Sequence, residues 1–156
     1  MSFYKAVEFV LKHEGYYSND PKDAGGETKF GISKRAYPSL DIKNLTRDDA
    51  IAIYQRDYWN KLPEGLSESL HGALFDCAVN TGISRAIKLL QAAIKVKPDG
   101  VWGTKSSAAL HKLDADEVLI RFSTERIMFY SALSTFSRFG KGWINRVVAS
   151  IVQFKE

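Results

Sequence analysis

The sequence has one cysteine, Cys77, so no disulfide can form within the chain. That fits synthesis in a reducing compartment. Its neighbours Leu74, Phe75 and Ala78 are apolar and no histidine stands beside it, so it reads as a buried core thiol rather than a nucleophile. No segment approaches the roughly 20 consecutive apolar residues of a membrane span. Residues 1–15 lack a long apolar core and a small-residue cleavage site, so no signal peptide is expected. Neither standard glycine-rich phosphate loop is present. The three histidines, His13, His71 and His111, are far apart, and none has a second ligand at metal spacing. No cofactor and no metal are expected. A nucleophile-elbow motif is also missing. These absences weigh against phosphoryl transfer and against ester or peptide hydrolysis, and leave chemistry that carboxylates carry unaided.

What is present is ordinary globular material. The 156 residues are 45% hydrophobic and 26% charged. That suits one compact domain, or a domain with a small appended subdomain. A chain of this size buries roughly two thirds of its unfolded surface and needs no covalent staple. Formal net charge is +4, and from Arg121 onward six Lys/Arg stand against two Glu, which is the whole excess. A basic surface favours a polyanion: nucleic acid, anionic lipid or bacterial cell wall. The same run also reads as a solvated helix face. No helix-turn-helix or basic-aromatic pattern appears, so nucleic acid is not expected as a partner.

Hydrophobic spacing is helical along most of the chain. Phe3, Val7, Val10 and Leu11 share one face. Ser2 is a candidate cap for this helix, and Gly15 is expected to end it in the left-handed conformation. Glu14 then falls at the partially negative end of a helix dipole, an unfavourable place for a carboxylate. Residues 16–44 carry Pro21, Gly25, Gly26 and Gly31 among polar residues and predict a long ordered loop or a small β-hairpin. Thr46 to Asp49 has a capping-box pattern opening a helix through about Asn60. Further helices are expected over about 67–80, from a Ser84 cap through Ile94, from a Thr104 cap, over about 114–133, and over 143–154. The turn Pro98-Asp99-Gly100 marks a boundary between a first part, 1–95, and a second, 96–156.

The chemistry-bearing residues gather around the loop: Glu14, Asp20, Asp23 and Glu27. Glycoside hydrolysis needs an acid to protonate the leaving oxygen, and commonly a second carboxylate as nucleophile or base. Such an acid works best beside an apolar wall. Tyr16 and Tyr17 follow Glu14 and can supply one, and Gly25-Gly26-Glu27-Thr28 can bring backbone donors to a sugar. Each residue also has a plainer reading. Asp20 precedes Pro21 and suits a turn cap, Gly25 and Gly26 suit backbone geometry, Tyr58 and Trp59 suit either a sugar cleft or the core, and Asn80 suits a helix C-cap. Asp76 reads as orienting a neighbour.

Taken together, His13-Glu-Gly-Tyr-Tyr-Ser-Asn-Asp-Pro21 and Asp23-Ala-Gly-Gly-Glu-Thr-Lys-Phe-Gly-Ile-Ser33 resemble the signature of the glycosyl hydrolase family 108 N-acetylmuramidases, phage-type endolysins. Tyr16 departs from that family's usual glycine. The likeness continues through Ile53-Tyr54, Tyr58-Trp59 and the stretch Leu74–Gly82. Pro98–Gly103, Arg126 with Phe129-Tyr130, and Trp143 with Arg146-Val147 resemble the peptidoglycan-binding segment that follows in such proteins. The resemblance implies a mainly α, lysozyme-like fold with a small loop or β-hairpin after the first helix. A catalytic part, 1–95, would then carry a peptidoglycan-binding-like helical subdomain, 96–156, packed on it. It implies hydrolysis of the β-1,4 bond between N-acetylmuramic acid and N-acetylglucosamine, with Glu14 as general acid. Thr28 or Asp23 would position water, and Asp20, Gly25, Gly26, Glu27, Tyr58, Trp59 and Asn80 would contact substrate. The expected partner is peptidoglycan, met by a monomer, with the basic C-terminal helices touching an anionic outer membrane. The expected itinerary is synthesis in a host cytoplasm and action on the wall after holin-type release. A lytic transglycosylase and a non-catalytic peptidoglycan-binding module are the alternatives.

Overall fold

The computed structural model describes residues 2–22 and 24–155. Helix α1 (Ser2–His13) leads into three two-residue strands, β1 (Tyr17–Ser18), β2 (Thr28–Lys29) and β3 (Ile32–Ser33). They form an antiparallel sheet in the order β1-β2-β3, with Tyr17 opposite Lys29 and Thr28 opposite Ser33. Helices then follow to the end: α2 (Arg47–Asp57), a 3-10 turn (Trp59–Lys61), α3 (Glu68–Thr81), α4 (Ile83–Ala93), α5 (Thr104–His111), α6 (Ala115–Ser131) and α7 (Phe136–Phe154). The architecture is mainly α with a small sheet after the first helix, as the sequence predicts.

The central helix is α3. It is buried almost throughout, from Ser69 to Ala78, and packs against α1, α4, α6 and α7. Its small residues allow this: a Cβ on Gly72 would stand 2.7 Å from the Phe154 ring of α7. Cys77 is fully buried, and burial pushes its thiol pKa up, as befits a packing residue. The helix starts agree with local chemistry. Thr46 accepts from the Asp49 amide while Asp49 accepts from the Thr46 amide, a complete capping box, and Ser67 and Asp114 cap α3 and α6.

Four local expectations differ from the structure. Gly15 is not among the residues with positive φ, so α1 ends without the left-handed glycine. Ser84 lies inside α4, whose N-cap is Gly82 at φ 92°, and Thr104 is the first helical residue of α5 behind Gly103. Helix α7 begins at Phe136, before Gly140 and Gly142, rather than at Trp143. Gly140 lies inside this helix beneath the Phe136 ring, where a Cβ would overlap that ring.

Candidate active site

Glu14 extends the last turn of α1, its amide donating to the Val10 carbonyl at 2.9 Å. Its side chain meets the tip of the β2–β3 hairpin. Phe30 (φ 54°) and Gly31 (φ 81°) are the two central residues of that turn. Positive φ at both is the type I′ arrangement, whose twist suits a two-residue hairpin. Phe30 is an unusual occupant and is held at both ends. Its amide donates to the Tyr16 carbonyl at 2.9 Å, and its carbonyl accepts from the Tyr54 hydroxyl at 2.6 Å. A Cβ on Gly31 would overlap the Tyr54 hydroxyl and stand 2.8 Å from Glu14 Cγ. The hairpin backbone is therefore itself a wall against Glu14, and only glycine lets it approach so closely. Burial, and next the Glu14 charge, push the Tyr54 pKa far above its ordinary value, so that hydroxyl remains a neutral donor.

Behind Glu14 lies a buried line of charge. Arg146 Nη1 donates to Glu14 Oε1 at 3.0 Å. The same guanidinium donates to Asp76 Oδ1 from Nε at 3.0 Å and from Nη2 at 2.7 Å. Arg126 Nη1 approaches the other Asp76 oxygen at 2.9 Å. The Asp76 side chain is 0% exposed, that of Arg146 9% and that of Glu14 23%, so the line runs from the core to the edge of solvent. Burial opposes the Arg146 charge, yet Asp76 and then Glu14 outweigh it and hold the guanidinium pKa above its ordinary range. Arg126 Nε also donates to the Tyr130 hydroxyl at 3.0 Å, and Tyr130 donates to Asn80 Oδ1.

Glu14, Tyr16, Tyr17, Ser18, Thr28 and Gly31 line a cavity of about 270 Å³. The structure thus brings together two of the three expected catalytic residues, Glu14 and Thr28. Asp23 lies outside the described residues. None of the other expected contact residues lines this cavity. Glu27 accepts from the hydroxyl of Tyr17, a lining residue, at 2.6 Å. Asp20 accepts from the Lys22 amide at 2.9 Å, a turn-capping contact. Gly25 accepts from the Arg35 amide at 3.4 Å, and Gly26 supplies a positive φ of 69°. Tyr58 is half-buried with its ring 5.8 Å from that of Tyr54. Trp59 stacks on His71 at 3.5 Å and packs on Phe75, facing the core. Asn80 is engaged by Tyr130 of α6.

Sequence reasoning named no role for Arg146, Arg126, Tyr54 or Gly31. A signal existed for the arginines: each falls in the apolar register of its helix, Arg126 beside Phe122 and Tyr130, Arg146 beside Val147 and Ser150. A charge on a buried stripe requires an internal partner.

The chain matches the Glycosyl hydrolase 108 family over residues 7–82. It resembles the solved structure of Brucella abortus SagA with a TM-score of 0.86 and 35% sequence identity, over 99% of this chain and 97% of that one. No curated protein is significantly similar to it. With Glu14, Thr28 and the buried α3 inside the matched segment, and the helical fold shared over nearly the whole length, this chain belongs to the glycosyl hydrolase 108 family of peptidoglycan-hydrolysing enzymes.

Proposed function

We propose that this protein is an N-acetylmuramidase that cleaves the β-1,4 bond between N-acetylmuramic acid and N-acetylglucosamine, with Glu14 as general acid. One observation carries the reading: a carboxyl group, gripped from behind by Arg146, opens into a cavity that Thr28 also lines. Arg146 occupies Oε1, so the transferable proton belongs on Oε2. Proton transfer from Oε2 to the bridging oxygen lets the C1–O bond break and an oxocarbenium-like sugar develop. The carboxylate so formed is already paired with a guanidinium, which stabilises it without reorganisation. Thr28 or Asp23 then orients the water whose oxygen bonds to C1, and the surplus proton passes to Asp23. Among the described residues Glu14 is the only carboxylate lining the cavity. That also supports a second reading, a lytic transglycosylase, in which the muramic acid C6 hydroxyl replaces water and gives an anhydro product.

The test is digestion of purified peptidoglycan by the unsubstituted protein and by Glu14→Gln, with mass spectrometry of the released fragments. Reducing muropeptides, and a loss of at least a hundredfold in the folded variant, are expected for a general acid. Anhydro products, lighter by one water, select the transglycosylase. A folded variant as active as the parent refutes the role of Glu14, and a parent without cleavage points to a binding module.

The wider proposal is an endolysin made in a host cytoplasm and released to the wall through a holin-type lesion. The 96–156 part would act as a wall-binding subdomain packed on the catalytic part. A groove of about 820 Å³ where Trp102, Thr104 and Ser107 face Lys61, Glu64 and Ile87 of the first part supports a binding surface that both parts share. Contact with an anionic outer membrane has fewer charges available than the sequence suggests, because Arg126 and Arg146 are buried in ion pairs. Arg138, Lys141 and Lys155 remain exposed, with Phe139, Val148 and Val152 beside them in α7 or at its end.

A further inference from the structure

We infer that Asp76 is a positioning residue for the proposed acid: from the core it fixes the Arg146 guanidinium, and the fixed guanidinium sets the place and orientation of the Glu14 carboxyl group. This rests on the reading of Glu14 as the acid.

The geometry has one direction. Asp76 takes two donors of Arg146, Nε and Nη2, on a single oxygen, and so fixes the axis along which the opposite nitrogen, Nη1, points away from it. Nη1 is the guanidinium nitrogen without a contact to Asp76, and it reaches Glu14 Oε1. Arg126 Nη1 stands 2.9 Å from the second Asp76 oxygen as an ion pair without an aligned hydrogen bond, so turning Asp76 would separate charges shared with a third helix, α6. Helices α3, α6 and α7 thereby act together on a side chain at the end of α1. Gly31 and Tyr54 close the opposite side, so Glu14 is held between a backbone wall and a clamped cation.

Stability alone does not account for this line of charges. Burying ions costs several kcal/mol each in desolvation, and well-packed apolar replacements are often as stable or more so. The line also ends at the cavity rather than closing within the core. Arg126, Asp76 and Arg146 alone carry one surplus positive charge, and among the described residues it is Glu14, once it has given up its proton as a carboxylate, that brings the line to two cations and two anions. Both arginines lie beyond the family match at 7–82, whereas Asp76 and Glu14 lie within it. The positioning therefore depends on helices that the match does not reach.

The experiment compares the full-length protein with Asp76→Asn, which keeps size and one acceptor oxygen but removes the charge. Two readouts are taken: steady-state kinetics on soluble, uncross-linked glycan strands, and the carboxyl ¹³C resonance of Glu14 in glutamate-labelled protein, assigned by its loss in Glu14→Gln. The expected result is a folded variant with kcat reduced roughly tenfold to a hundredfold, KM unchanged, and the Glu14 resonance displaced. Should Asp76→Asn not fold, Arg146→Lys tests the same clamp. It keeps the cation but loses the fork that spans both carboxylates, and the same kcat loss and displaced resonance are expected. An unmoved Glu14 resonance overturns the inference, and so does parental kcat in the folded variant when Glu14→Gln is inactive. A displaced resonance in a protein whose Glu14→Gln variant remains fully active upholds the positional link and instead removes Glu14 as the acid.

Discussion

Replacing Gly31 by alanine should cost both stability and activity, and the structure supplies the magnitude. At φ 81° an L-residue sits in the left-handed region, which costs about 1–2 kcal/mol. The new methyl would overlap the Tyr54 hydroxyl and stand 2.8 Å from Glu14 Cγ. The hydroxyl must move, giving up its 2.6 Å bond to the Phe30 carbonyl, and a lost buried hydrogen bond costs about 1–3 kcal/mol. The total is about 2–5 kcal/mol, or roughly 5–15 °C in Tm for a chain of this length. If Glu14 is the acid as proposed, activity should fall further than stability explains, because a displacement of about 1 Å at such a group can cost a hundredfold. Urea unfolding and clearing of wall fragments measure the two effects. The double variant Gly31→Ala/Tyr54→Phe removes the atom that the methyl meets, so its loss of stability should be smaller than the sum of the single losses. Strict additivity, or a Gly31→Ala protein with parental stability and clearing rate, would refute the close-packed account of the hairpin on Glu14.

Two further perturbations test other parts of the fold. Alanine normally stabilises an exposed helix interior relative to glycine by about 1 kcal/mol. At Gly72 the sign should reverse, with a loss of roughly 1–3 kcal/mol, because the methyl would meet the Phe154 ring at 2.7 Å; a raised urea midpoint contradicts this. Asp57 is held down at about 2 by the Arg56 guanidinium and by the Tyr37 hydroxyl. A depressed folded-state pKa gives stability that is present above the unfolded value and lost as pH falls through the folded one. Asp57→Asn should therefore be less stable than the parent at pH 6, and the difference should shrink from about pH 4 downward. Thermal unfolding across that range checks it, and a deficit that persists undiminished at pH 2 rules the account out.

The sequence by itself determined the helical class, the family and most element positions, and it singled out Glu14, the proposed acid. These are readable because they depend on local order. Thr46 and Asp49 cap α2 through bonds spanning three residues, and the face shared by Phe3, Val7 and Val10 follows from helical spacing. Motif spacing placed Glu14 and Thr28 in one loop region, and the structure places them on one cavity. Where neighbours in space overrule neighbours in sequence, the reading missed. The last helix was expected from Trp143, yet it begins at Phe136 and includes Gly140, which makes room for the Phe136 ring. Trp59 and Asn80 stood at motif positions, and the fold turns one onto His71 and engages the other with Tyr130. The surroundings of Glu14 were decided only by the tertiary structure. Arg146 is 132 positions away and Asp76 62, and no periodicity links residues across such distances. Their meeting follows from three helices packing around α3. A buried guanidinium must find its carboxylate wherever the packing brings one, because leaving either charge alone in the core costs more than any local preference can repay.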